Sequence, residues 1–211
     1  MPDDNPLDAI PYTFEQITFA IAADAPVAVL SVSFNGRLSR LYQWDTDTDL
    51  FTPGQFLKGR SEIYDISPDG KYFAYYAESF NRQAKSYIAI AKPPYFTALA
   101  YFPTHHLVVK SAEFDGTNKL KLSTAEPGWW GDHSSTENRI EPGCPFEIEK
   151  VSLKMNETRT SARDHRNCRE VWTEGKKLLT LVDGAESPTM IKEFTRVPFA
   201  AIEPSDWAKK W

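Results

Sequence analysis

The sequence predicts an all-β chain of antiparallel sheets stacked face to face, and three observations carry that prediction. Aromatic residues are abundant, with 13 Phe, 9 Tyr and 6 Trp making up 13% of 211 residues, and 15 prolines punctuate the chain. That balance favours sheet over helix. From Ile10 to Phe102, apolar runs of strand length alternate with turn signals, and no comparable window shows apolar residues at helical spacing. Several of those runs are apolar on both faces, which an ordinary one-sided sheet does not require.

Taken in order, the predicted strands of this first stretch are Tyr12–Ala22, Val27–Phe34, Leu38–Trp44, Ile63–Ile66, Tyr72–Ala77, Tyr87–Ala91 and Phe96–Phe102. Their separators have physical reasons to turn. Asn35-Gly36 and Asp69-Gly70 accept positive φ, and the Asp45-Thr46-Asp47-Thr48-Asp49 run closes Asx-turns with its own side chains. In Tyr72-Phe73-Ala74-Tyr75-Tyr76-Ala77 the even and odd positions are both apolar or aromatic, and Tyr87–Ala91 and Phe96–Phe102 repeat this. Such strands need cover on both sides, with alanines permitting close approach, and small antiparallel sheets stacked face to face provide it.

Leu41-Tyr42-Gln43-Trp44-Asp45, then Gly54–Gly59, then Asp65-Ile66-Ser67-Pro68-Asp69-Gly70-Lys71 leading into Tyr72–Tyr75 resembles the blade pattern of TolB-like and WD40-like β-propellers. A strand ends in Trp-Asp, a loose outer strand follows, and a Ser-Pro-Asp-Gly-Lys hairpin opens an inner apolar strand. The resemblance covers about 40 residues, Leu38 to Ala77, and implies a propeller. Phe114–Lys119 before Leu120–Ser123 reads as a degenerate copy of the hairpin. At roughly 40–45 residues per blade, the chain has room for four or five blades, a small or incomplete ring.

One β-rich domain spans 1–211, with a blade-like half at 10–126 and a more irregular half at 127–211. In the latter, Pro127–Pro145 is a loop rich in Gly, Pro and polar residues. Phe146–Asn156 reads as a hairpin-like section with a bulge near Lys150. Arg169–Trp172 and Leu178–Val182 form a hairpin around Glu174-Gly175. Trp207 and Trp211, four apart, suit a short C-terminal helix that packs aromatics on a sheet.

Net charge is −5, and it is unevenly placed. Residues 1–50 hold eight acids against Arg37 and Arg40, leaving the remaining 161 residues at +1. An acidic face steers basic partners and repels phosphate backbones, which argues against nucleic acid. The expectation is a cytoplasmic protein with no membrane span. Met1–Asn5 shows no basic leader, the most apolar stretch (Phe19–Phe34) is interrupted by Asp24 and Pro26, and Cys144 and Cys168 are the only cysteines.

Several chemistries fail on context. Gly54–Ser61 misses a phosphate-binding loop by one residue, Arg60 standing where lysine is needed, and is followed by a strand rather than a helix. Asp45, Asp47 and Asp49 imitate the start of a calcium loop, but Leu50 and Phe56 occupy the positions that need Gly and Glu. His165 and Cys168 have usable zinc spacing, whereas His133 and Cys144 are too far apart to supply the second close pair. His105 and His106 are adjacent and would point to opposite faces of a strand. No nucleophile elbow occurs. The expectation is no metal, no cofactor and no catalytic residue.

What remains suits binding. Trp129-Trp130 sits in a Pro-Gly/Gly-Asp turn, a place for an interface anchor or a sugar-stacking pair. Arg159, Arg163, Arg166 and Arg169 would form a carboxylate- or phosphate-binding stripe if their connector were helical, although interleaved acids leave that segment only weakly positive. The candidate partner-binding residues are therefore Trp129, Trp130, Asp45, Asp47, Asp49, Arg163 and Arg166. They imply a non-catalytic protein-binding module, in one version a bacterial immunity or antitoxin-type protein whose acidic surface occludes a basic toxin. The alternative is a hydrolase acting on a sugar or peptide in a propeller-face cleft.

Overall fold

The structure, a computed structural model, describes residues 13–35, 37–78, 86–104, 110–124, 139–152, 160–195, 197 and 201–211. Among these, sixteen strands form four sheets arranged as the blades of a four-bladed β-propeller. The first sheet runs in order β1 (Phe14–Ile21), β2 (Val27–Phe34), β3 (Leu38–Asp45) and β4 (Leu50–Lys58). The second is built from β5 (Ser61–Ile66), β6 (Phe73–Glu78), β7 (Ser86–Ala91) and β8 (Ala100–Thr104). The third starts with the hairpin β9 (Lys110–Asp115) and β10 (Lys119–Thr124). After it, β11 (Arg139–Ile140) returns to the outer edge of the second sheet, and β12 (Glu147–Ser152) completes the third. The fourth sheet is β13 (Ser161–Asp164), β14 (Arg169–Glu174), β15 (Lys177–Val182) and β16 (Thr189–Glu193).

Pairing is antiparallel with one exception. β12 lies parallel to β10, in register from Lys119 against Glu147 to Thr124 against Ser152. The described part of the expected hairpin-like section, Phe146–Ser152, instead ends a crossover, with no bulge at Lys150, and Leu153–Asn156 lie outside the described residues. The chain first visits the second sheet through β11 and so re-enters the third from the other direction, and parallel strands require such a long connection. The strand β4 was legible only as a loose outer strand, because Pro53 and Gly54 sit inside it, which edge strands tolerate. The C-terminal helix reduces to a single 3-10 turn, Asp206–Lys209.

Three apolar cores lie between successive sheets. Val171, Leu178 and Phe194 of the fourth sheet pack on Phe19, Leu30, Tyr42 and Trp44 of the first. The opposite face of the first sheet (Ala20, Val29, Leu41) meets Ile63, Phe73, Tyr75 and Ala89 of the second. The other face of the second (Ala74, Ile88, Ile90, Phe102) meets Ala112, Phe114, Leu120 and Leu122 of the third. The doubly apolar strands β6 and β7 are covered on both sides, as their sequence predicts, whereas Phe96–Leu99, expected to begin a third, is loop and that strand starts at Ala100. A row of small hydroxyls also runs between the first two sheets. Ser31 Oγ lies 2.6 Å from Ser61 Oγ, Ser39 Oγ donates to the Gly59 carbonyl, and Thr18 Oγ1 accepts the Ile63 N–H. Hydroxyls let the inner strands approach closely while satisfying buried donors.

Double burial makes a direct prediction. Phe73→Ala should lose about 3–5 kcal/mol of stability, and Ala74→Glu on the opposite face should be comparably damaging because its charge enters the neighbouring core unpaired. Thr52→Ala on the exposed edge strand should be nearly neutral. Urea denaturation of the three variants decides it: if only one of the first two unfolds early, the sheet is covered on a single side.

Candidate functional site

Two polar constellations stand out, and the first unites residues that the sequence presented separately. Asp45 Oδ1 accepts the N–H groups of Asp47 and Thr48, so the acidic run closes the expected Asx-turn after β3. That turn docks on the turn between β13 and β14. Arg169 donates a fork to Asp49, Nη1 to Oδ2 and Nη2 to Oδ1, both at 2.9 Å. Its Nη2 also reaches the Thr46 carbonyl at 2.6 Å, and its Nε reaches Asp164 at 2.8 Å. The guanidinium carbon stands 5.3 Å from the centre of the Trp44 ring, whose Nε1 donates to Asp49. Asn167 and Arg166 extend the contact to Asp47. Burial works against the Arg169 cation, but the hydrogen bonds to Asp49 and Asp164 outweigh it and raise its pKa.

The arginines therefore do not form a helical stripe. Arg163 lies on β13, where it bridges Glu170 and Asp183 on the exposed side of the fourth sheet. Arg166 sits in the following turn, and Arg169 opens β14 and points into the joint between sheets. Of the candidate partner-binding residues, Asp47, Asp49 and Arg166 meet one another's neighbours across this joint. Trp129 and Trp130 lie outside the described residues, as do Arg159, His105, His106 and His133. Cys168 is an exposed thiol with φ of 49° beside His165, and Cys144 is half-buried; both are free. Among the described residues, no three His, Cys, Asp or Glu side chains converge as metal ligands, and no helix is long and apolar enough to cross a membrane.

The second constellation was not singled out from the sequence. A cleft of about 390 Å³ opens between the first and second sheets, lined by Gln43, Gly70, Lys71, Tyr72, Lys92, Pro93 and Trp207. Its walls are local consequences of the sequence. The Ser67–Gly70 turn is closed by hydrogen bonds from the Gly70 N–H to the Ser67 carbonyl and from Ser67 Oγ to Asp69. Gly70 has φ of 72° and lies against Val27, which an added Cβ would approach to 2.9 Å. No other residue type fits both demands. Opposite, Gly54 of β4 abuts the loop after β7, where an added Cβ would overlap the Pro94 carbonyl oxygen. Gln55 binds that loop on both sides, its N–H donating to Pro94 and its Oε1 accepting the Phe96 N–H.

The C-terminal segment roofs this region. It leaves the fourth sheet at Phe194, wedged against Tyr42 and Phe51, and Gln55 donates to the Ile202 carbonyl. Trp207 then packs edge-on against Tyr95, and Trp211 reaches Tyr72 and Phe146 while its Nε1 donates to the Glu141 carbonyl at 2.6 Å. Lys92 holds the segment down, donating to the carbonyls of Trp207 at 3.2 Å and Lys210 at 2.6 Å. Its ammonium lies 5.4 Å from the Tyr72 ring centre and 5.7 Å from that of Trp207. Burial pulls the Lys92 pKa below the ordinary lysine value, and burial, followed by the Asp69 carboxylate, pushes the Tyr72 hydroxyl up. Lys71 pairs with Asp69 at 2.9 Å and stays largely exposed. The signal available in the sequence was Lys92-Pro93-Pro94-Tyr95 together with the terminal tryptophans. Compared with known proteins, the chain matches no family model, no curated protein and no solved structure.

Two variants test the joints. Arg169→Ala leaves Asp164, which is only 1% exposed, with Asn167 as donor but without its cationic partner, and should cost about 3–5 kcal/mol. Arg169→Lys should recover part of that, and Arg163→Ala on the open side should leave the urea midpoint near wild type. Gly54→Ala should destabilise by about 1–3 kcal/mol through overpacking, measured as a lowered melting temperature; an unchanged value would mean that β4 moves freely away from Pro94.

Proposed function

We propose that the chain is a non-catalytic protein-binding module that uses the cleft face between its first and second sheets. The observation that carries this reading is the chemistry of the lining. Two ammonium groups, the rings of Tyr72 and Trp207 and the amide of Gln43 converge there, and Trp207 remains 53% exposed at the rim. Tryptophan is among the residues most enriched at the energetic centres of protein interfaces. A hydrolase acting on sugar or peptide would instead be favoured by converging carboxylates or histidines, and the residues lining this cleft include neither type.

The blade-like hairpin Ser67–Lys71, which resembles those of TolB-like and WD40-like propellers, supplies one wall of the cleft. A cytoplasmic setting suits the sparing use of cysteine, with both thiols free. An immunity or antitoxin-type role against a basic toxin draws on the net charge of −5. It draws less on the acidic turn, since Asp47 and Asp49 meet Arg166 and Arg169 within the chain.

Affinity capture from native cells, followed by reconstitution from the two purified proteins, tests the reading. The expected result is a stoichiometric complex in sedimentation velocity. Sedimentation as the free chain with every captured candidate, together with turnover of glycoside or peptide libraries, would overturn it in favour of the hydrolase.

A further inference from the structure

Resting on that reading, we infer that the cleft takes an acidic peptide segment of the partner, with a glutamate or aspartate side chain seated on Lys92 and flanked by Tyr72 and Trp207. The argument is charge complementarity in a built pocket. Lys92 is partly buried, and two main-chain carbonyls fix its ammonium in place. Among the described residues, no carboxylate lies within ion-pairing distance of it. A carboxylate entering the cleft would pair with a cation already positioned and partly stripped of water, where a charge-assisted hydrogen bond is strongest. The cost of holding a flexible lysine in place is already met by the fold.

The surroundings narrow the ligand further. Lys71 stands on the rim with its side chain 70% exposed and paired with Asp69 at 2.9 Å, so a second acid would share its ammonium with Asp69 without breaking any contact to the C-terminal segment. The Trp207 face offers area to an apolar or aliphatic stem between the acids. A polyanion has no general reason to approach a chain of net charge −5, so binding of an acidic peptide would report the local field of the cleft rather than bulk attraction. Aromatic rings alone would also accept a neutral ligand such as a sugar, and the control peptide separates that case.

The probe is hexaglutamate blocked at both termini, so that only side-chain carboxylates are offered, with blocked hexaglutamine as its neutral counterpart. Calorimetry measures affinity, and the Trp207 indole N–H signal in nuclear magnetic resonance locates the site. Hexaglutamate is expected to bind and to shift that signal, with affinity falling about tenfold in Lys92→Gln, less in Lys71→Gln, and largely kept in Lys92→Arg. Added salt should weaken it. Three results would overturn the inference: no binding of hexaglutamate, equal binding of hexaglutamine, or affinity unaffected by both Lys92→Gln and Lys71→Gln. Should Lys92→Gln lower the melting temperature by releasing the C-terminal segment, Lys71→Gln in an Asp69→Asn background decides alone, because Lys71 holds no carbonyl of that segment and the second change removes the carboxylate it pairs with. A partner that binds the chain but is not displaced by hexaglutamate removes the acidic-peptide assignment and leaves the binding-module reading intact.

Discussion

The second sheet has no face for water, and most of the architecture follows from that constraint. Phe73 and Tyr75 project into one core and Ala74 into the next, all buried to within 1%. A strand of this kind cannot sit at the surface of a two-layer sandwich. It forces a neighbour on each side, and the first and third sheets take those places. The first sheet is itself apolar on both faces and recruits the fourth. Stacking therefore propagates from a short aromatic-alanine alternation, with the alanines setting how closely the sheets approach.

Apolar cores fix which sheets touch, but they do not fix the orientation of the stack, since hydrophobic burial has no direction. Directional contacts supply it. Between the fourth and first sheets, the fork from Arg169 to Asp49, closed beneath by Asp164 and above by Trp44, admits one arrangement of the two turns. Between the first and second, Gly54 against Pro94 and Gly70 against Val27 leave no room for sliding. Asp65 accepts the Phe114 N–H at 2.8 Å and locks the second sheet to the third. The C-terminal segment then crosses from the fourth sheet to the third, contacting all the sheets between.

The candidate site is a by-product of those joints. The cleft exists because the hairpin after β5 and the loop after β7 lean on the first sheet without filling the space between them, and the C-terminal segment spans the gap. Lys92 serves two ends: it fastens that segment through carbonyls and leaves a cation facing the opening. The acidic run, by contrast, spends much of its charge inside the molecule. Asp45 closes its own turn, and Asp47 and Asp49 meet arginines more than a hundred residues away.

The sequence by itself determined the fold class, most strands of the first half and the doubly covered faces of β6 and β7, because each depends on local alternation and on turn residues such as Asn35, Asp69 and Gly70. It also showed that Gly54–Ser61 lacks the setting of a phosphate loop, since the following strand is a local property. Only the tertiary structure decided the parallel pairing of β12 with β10, because the chain detours through another sheet and nothing in Glu147–Ser152 records the detour. It decided equally that the Asp45–Asp49 run meets Arg166 and Arg169, and that Lys92, Tyr72 and Trp207 share a cleft. These partners are separated by long stretches of chain, and charge or aromaticity at one position does not say which distant residue will face it. Local periodicity is written in the order of residues; the pairing of joints is set by how the stacked sheets bring their turns together.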